Sequence, residues 1–219
     1  MKYIIMCGGK YSEWDKPRQL TKIHGETLIE RTTRMLEFWG VDKHDIRVSV
    51  SNAEQAQAIL REVPHTHIIV FNNPFDFVSP SMISGYWCDC FYPMNEPCTY
   101  LMGDVVFSSK AIETIVKTET LDIEFFASAP PFAKQYSKEW AEPFAFKVFD
   151  QEHLRSAQYQ TKQLCDEHKF KRHPIAWEFW QVVKGTPINK IDYTNYTVIN
   201  DYTCDIDKPE DINKFEGAE

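Results

Sequence analysis

Lys2-Tyr3-Ile4-Ile5-Met6-Cys7-Gly8-Gly9-Lys10 is the stretch on which the fold of this 219-residue chain turns. Its apolar run is too short for a helix and stops at two adjacent glycines, which reads as a buried strand feeding a tight loop. The alternation continues downstream. Leu28, Thr32, Met35, Leu36 and Trp39 share one helical face, and Gly40 stands where that helix should end. Ile46 to Val50 reads as a strand, Ala56, Ile59, Leu60 and Val63 as a helix closed by Pro64, and His67 to Phe71 as a third strand. Ser81 to Phe91 reads as a helix and Thr99 to Met102 as a fourth strand. Ala111, Ile112, Ile115 and Val116 mark a further helix, and Ile123 to Ala127 a further strand. Strands and helices alternating in this way predict an α/β fold, a parallel sheet with helices on both faces and right-handed crossovers. Ligands of such sheets bind beyond the carboxyl ends of the strands, so the loops after Cys7, Phe71 and Met102 are where chemistry is expected.

Beyond Ala129 the pattern loosens. Pro130-Pro131 interrupts it, and Phe132, Tyr136, Trp140, Phe144, Phe146 and Phe149 crowd the next stretch, either as a flap or as a second apolar layer, with packing the default for large rings. Helices around Leu154 to Cys165 and Ala176 to Val183 follow, then a strand near Thr197 to Asn200. A last helix starts at Pro209, with Ile212 and Phe215 facing inward. Glu142, Lys147, Glu178 and Trp177 are candidate contacts for a second ligand, with exposed charge the default for the first three and core for Trp177. No repeat, low-complexity tract or long linker divides the chain.

Hydrophobic residues make up 43% and charged residues 26%, a globular composition. Twenty-four Lys and Arg against 32 Asp and Glu give a net charge of −8 with no basic block, which argues against nucleic acid or an anionic membrane as partner. The apolar runs are strand-sized, short of the roughly 18 residues that span a bilayer. The start of the chain has no signal-peptide pattern, so a cytoplasmic location is expected. Six cysteines are then expected as reduced thiols, and Cys88-Asp89-Cys90 with Cys98 lacks zinc spacing.

Three constellations carry chemistry. The first is the loop from Cys7, Gly8 and Gly9 through Lys10, Lys16, Pro17 and Arg18 to Leu20. Adjacent glycines after a strand let backbone N–H groups face phosphate oxygens, and three cations gather in an otherwise acidic chain, as a triphosphate requires. No G-K-[ST] closes the loop, so it is not a Walker P-loop. The second is Gly103-Asp104, an aspartate at a strand tip where a bridging Mg²⁺ would sit. The third is Asp205-Ile-Asp207-Lys-Pro-Glu-Asp211, whose first two aspartates alternate on an extended stretch and so share a side. Asp207 also suits a cap for the last helix.

Gly8-Gly9, Lys16-Pro17-Arg18-x-Leu20, Ile23-x-Gly25-x-x-Leu28-Ile29-Glu30 and the closing Asp-x-Asp-x-Pro-Glu-Asp resemble the signatures of sugar-phosphate nucleotidyltransferases. The resemblance implies a Rossmann-like three-layer sandwich with a mostly parallel central sheet, of the nucleotide-diphospho-sugar transferase type. It implies one domain over 1–219, with a nucleotide-binding core (1–129), a small acceptor-binding or lid region (130–195), and a return strand and last helix (196–219). It further implies a glycine loop (Cys7, Gly8, Gly9, Lys10) and Gly103 around the nucleotide, Lys16 and Arg18 acting on phosphate, and Asp104 and Asp205 as Mg²⁺ ligands. The substrates would be a nucleoside triphosphate and a small phosphorylated acceptor.

Asn72 to Met82 looks like the base-recognition stretch of cytidylyltransferases, which points to CTP or UTP read by Asn73, Ser79 and Ser81. Turn and cap roles suit the same three residues. Where the family loop continues with a glycine and an arginine, this chain has Tyr11 and Glu13. Two alternatives stand beside this reading. A metal-dependent glycosyltransferase of related fold would carry its Asp-x-Asp mid-chain, whereas here it is near the end. A non-catalytic nucleotide-binding domain would not need the aspartate pair. An oligomer is compatible with the sequence.

Overall fold

The computed structural model describes residues 1–9, 14–73, 75–79, 82–128 and 141–215, with 76–79 and 82–84 described by their backbone. In chain order the strands are β1 (Lys2–Met6), β2 (Lys22–Ile23), β3 (Glu26–Thr27), β4 (Ile46–Val50), β5 (Ile68–Val70), β6 (Asp76–Ser79), β7 (Met82–Ser84), β8 (Cys98–Met102), β9 (Val105–Val106), β10 (Ile123–Ala127), β11 (Pro143–Val148), β12 (Thr197–Val198) and β13 (Cys204–Asp205). The α-helices are α1 (Leu28–Phe38), α2 (Ala53–Glu62), α3 (Ser109–Lys117), α4 (Gln151–Asp166) and α5 (Ala176–Val183).

Seven strands form one sheet in the order β12-β10-β11-β8-β1-β4-β5. β1 pairs in parallel with β4 and β8, β4 with β5, and β10 with β12. β11 runs antiparallel to both its neighbours, β10 and β8. Side chains alternate across the sheet, so β1 sends Tyr3 and Ile5 to one face and Ile4 and Met6 to the other. On the first face they meet Ile29, Met35 and Leu36 of α1, Ala56 and Ile59 of α2, and Ala111, Ile112 and Ile115 of α3. On the second they meet Leu154 and Ala157 of α4 and Ala176, Phe179 and Trp180 of α5. Burial on both faces explains why β1 reads as a continuous apolar run. The result is the three-layer sandwich expected from the sequence.

Local chemistry fixes the helix ends. Thr27 and Glu30 form a capping box at α1, where Glu30 N donates to Thr27 Oγ1 (3.1 Å) and Thr27 N to Glu30 Oε2 (2.8 Å). Gly40, at φ 90°, follows the end of α1 as expected. Asn52, Ser108 and Asp150 cap α2, α3 and α4.

Several expectations are corrected. Ser81 to Phe91 is not a helix: β6 and β7 pair as an antiparallel hairpin, and a 3₁₀ turn at Trp87–Cys90 follows. Gly85 sits at φ 69°, a conformation that no helix passes through. Leu60 is exposed rather than inward. The aromatic stretch contributes a sheet strand, since Phe144, Ala145, Phe146 and Val148 of β11 are wholly buried and Phe146 stacks on Phe125 at 4.4 Å. The packing reading therefore applies to Phe144 and Phe146, while Phe149 is half exposed and Phe132, Tyr136 and Trp140 lie outside the described residues. Glu142, Lys147 and Glu178 are buried, not surface charges. Lys147 is held because Nζ donates to Val116 O (3.0 Å) and Thr118 O (2.6 Å), the open carbonyls at the end of α3. The last helix is a 3₁₀ helix, Pro209–Phe215, with Phe215 inward. The described cysteines are all free thiols. Among the described residues, no helix is long and apolar enough to cross a membrane.

Candidate active site

A cavity of about 710 Å³ opens at the carboxyl ends of β1, β4, β5 and β8, within the range of small-ligand sites. Gly8 and Gly9 after β1, Ser51 after β4, Asn73 after β5 and Asp104 after β8 all line it. These are the loops that a parallel sheet predicts.

The glycine loop lies against the turn between β4 and α2. Gly9 N donates to Ser51 Oγ (3.3 Å), and Gln55 Nε2 donates to Gly9 O (2.7 Å). Gly9 has φ 102°, a backbone conformation that side chains disfavour. Lys10, Tyr11 and Glu13 lie outside the described residues. Cys7 does not line the cavity: it is fully buried, its N donates to Ser49 O (2.8 Å), and burial, then Asp104, pushes its thiol pKa up. Gly103 does not line it either. A Cβ there would meet Met6 O at 2.4 Å and Cys7 Sγ at 2.8 Å, so glycine at 103 is what lets β8 turn against β1.

The carboxylates meet through a small ladder. β13 pairs antiparallel with β9, setting Asp205 opposite Val105, and Ile206 N donates to Asp104 O (2.9 Å). Ile23, Leu28, Val106, Cys204, Ile206 and Phe215 form a separate core beneath it. Two aspartates a hundred residues apart thus reach one cavity, with Asp207 beside them. Around Asp207 the chain is held by the side chain of Asp211. The N of Asp207, and that of Lys208, donate to Asp211 Oδ2 (2.9 and 3.0 Å).

Arg18 lines the same cavity. It is 6% exposed, its Nη2 is ion-paired with Asp104, and its Nη1 donates to Ile206 O (2.8 Å) and Asp207 Oδ1 (3.4 Å). Lys16 does not line the cavity and pairs with Glu62 of α2 (3.1 Å). Asn73 lines it, while its Oδ1 accepts from Phe75 N (2.9 Å), the turn role open to it from sequence. Ser79 lies on β6 and is described only by backbone; Ser81 lies outside the described residues.

Of the residues on the far wall, Glu142 and Trp177 stand out in the sequence and the others do not. Glu142, Arg172, Trp87, Trp177 and Tyr193 line it. Glu178 holds Arg172, accepting from Nε (2.6 Å) and Nη2 (3.4 Å), and also accepts from Ile175 N at the start of α5 (3.2 Å).

The donor set suits a hard cation. Asp104 and Asp205 offer carboxylate oxygens at one cavity edge, as Mg²⁺ prefers. Among the described residues no group of three or more His, Cys, Asp and Glu would cage a metal by itself. A Mg²⁺ here would therefore take its remaining ligands from substrate phosphates and water, which is its usual habit.

No protein-family model matches the sequence, and no curated protein does. Solved structures match along the whole chain. A nucleoside-diphosphate-sugar pyrophosphorylase from Vibrio cholerae is 12% identical, with 98% of this chain and 99% of that one covered at a TM-score of 0.56. CMP:2-keto-3-deoxy-manno-octonic acid synthetase, complexed with CTP, is 12% identical, with 98% and 96% covered at 0.54. CTP:phosphocholine cytidylyltransferase from Streptococcus pneumoniae is 15% identical, with 98% and 97% covered at 0.51. At such identities the likeness is one of architecture, and on that measure this chain has the fold of the nucleotidyltransferases.

Proposed function

We propose that this protein is a nucleotidyltransferase that joins a pyrimidine nucleoside triphosphate, CTP before UTP, to a small phosphorylated acceptor and releases pyrophosphate. The observation that carries the reading is the convergence of Asp104 and Asp205 with the glycine loop on one cavity at the strand ends. In this reaction an acceptor phosphate oxygen bonds to the α-phosphorus while the bond to the β-phosphate oxygen breaks, and pyrophosphate leaves with that electron pair. No covalent protein intermediate is needed, so the protein's work is positioning and charge compensation. Mg²⁺ held by Asp104 and Asp205 would supply that compensation at the phosphates.

The chain's own residues divide the task. Gly8 and Gly9 admit the phosphates close to the backbone at the edge of β1. Arg18 supplies a fork that suits carboxylate and phosphate alike. Arg172, pre-oriented by Glu178, offers a cation on the opposite wall for the acceptor's phosphate. Support for a pyrimidine comes from the Asn72 to Met82 stretch, and from the CTP named in two of the matching structures.

Thermal shift with each of the four triphosphates and Mg²⁺ tests the reading without an acceptor in hand. CTP is expected to raise the melting temperature most and UTP next. A clear preference for GTP or ATP overturns the choice of base, and no shift with any triphosphate overturns the function.

A further inference from the structure

Asp104, Asp205 and Asp207 present three carboxylates to one cavity. Mutual repulsion would splay them, and would also resist an incoming polyphosphate, unless cations intervene. Two described cations line the cavity, Arg18 and Arg172, and Arg172 is engaged by Glu178. Arg18 is a cation that touches the cluster directly. Its guanidinium joins Asp104, at the end of β8, to Ile206 O and Asp207 on the segment after β13. With 6% of its surface exposed, it is a built part of the site rather than a mobile surface group.

We propose that Arg18 is a positioning residue that acts as the internal counter-ion of this cluster in the nucleotide-free protein. It holds the strand end and the C-terminal segment together and keeps their carboxylates from a lone divalent cation. A triphosphate then draws the guanidinium away, so that metal and triphosphate enter together. The exchange is chemically even-handed, since the same planar fork grips carboxylate and phosphate, and the more highly charged triphosphate wins. The inference rests on the proposed nucleotidyl transfer for the identity of the triphosphate. The contacts that hold Arg18 do not depend on it.

The test is Mn²⁺ affinity, followed by electron paramagnetic resonance, in wild type, Arg18→Met and Arg18→Lys, each without nucleotide and with a non-hydrolysable CTP analogue. Wild type should bind Mn²⁺ weakly alone and roughly tenfold or more tightly with the analogue. Arg18→Met should bind Mn²⁺ alone roughly tenfold more tightly than wild type and lose most of the gain from nucleotide. Arg18→Lys keeps the charge but loses the fork, so a tightening of several-fold there cannot come from net charge. If Arg18→Met does not fold without metal, Arg18→Lys alone decides. Unchanged or weaker Mn²⁺ binding in a folded variant without nucleotide overturns the proposal. This comparison is read in nucleotide-free protein, whether or not pyrophosphate is ever released, so its failure is distinct from failure of the transferase reading.

Discussion

Lys147 lies on β11 with 3% of its surface exposed, its ammonium donating to two carbonyls at the end of α3. Burial pulls its pKa down to about 8, with Glu119 acting weakly the other way. Because the folded pKa is lower than the unfolded one, the unfolded chain binds more protons between about pH 8 and 10.5, so this residue's contribution to stability rises with pH there and is lost as pH falls toward 8. The stability of wild type relative to Lys147→Met should therefore increase across that window, as read from urea midpoints at several pH values. A flat difference would mean that Lys147 is not desolvated by the fold in this way. At this scale the sequence was legible where chemistry is local. Asp104 and Asp205 line one cavity, and a short motif at a strand end constrains where each carboxylate can lie. The burial of Arg18 was not legible, because its partner Asp104 is 86 residues away and no local pattern reports that contact. Glu142, Lys147 and Glu178 read as surface charge for the same reason.

Glycine 103 shows how an element boundary serves the site. The N–H of Gly103 donates to Met6 O (2.9 Å), and a Cβ there would lie 2.4 Å from the same oxygen, which is backbone and cannot step aside cheaply. Gly103→Ala should therefore push β8 away from β1, cost about 2 kcal/mol and lower the urea midpoint with an unchanged slope. A wild-type midpoint would show that the strand ends are more loosely joined than described. Strands and helices bounded by strong punctuation were legible from sequence, as at Leu28–Phe38 before Gly40. β11 was not, because its apolar run follows a proline pair in an aromatic crowd and contains a lysine that reads as surface. The β6–β7 hairpin reads as a helix in the sequence because apolar residues at 82, 83, 86 and 87 satisfy helical spacing, although Gly85 breaks it.

At the scale of the molecule, the sheet order puts β1 in the interior with β4 and β8 on either side, so three loop ends share one edge. The β9–β13 ladder then brings the end of the chain to that edge. In this molecule of net charge −8, Arg18 and Arg172 bring two cations to a cavity that Asp104, Glu142, Asp205 and Asp207 also line. The three-layer architecture was legible because the alternation of strand and helix is written along the chain as far as Ala127. The far wall of the cavity was not, because its residues come from turns and from α5, brought together only by folding. Pyrophosphate release from CTP and Mg²⁺, measured with a panel of small phosphate monoesters on wild type, Asp104→Asn and Asp205→Asn, tests the central claim most directly. The account predicts acceptor-dependent release by wild type and a loss of roughly a hundredfold or more in each variant, with circular dichroism showing both still folded. Near-normal release by either folded variant, or no release by wild type with any triphosphate, would contradict it.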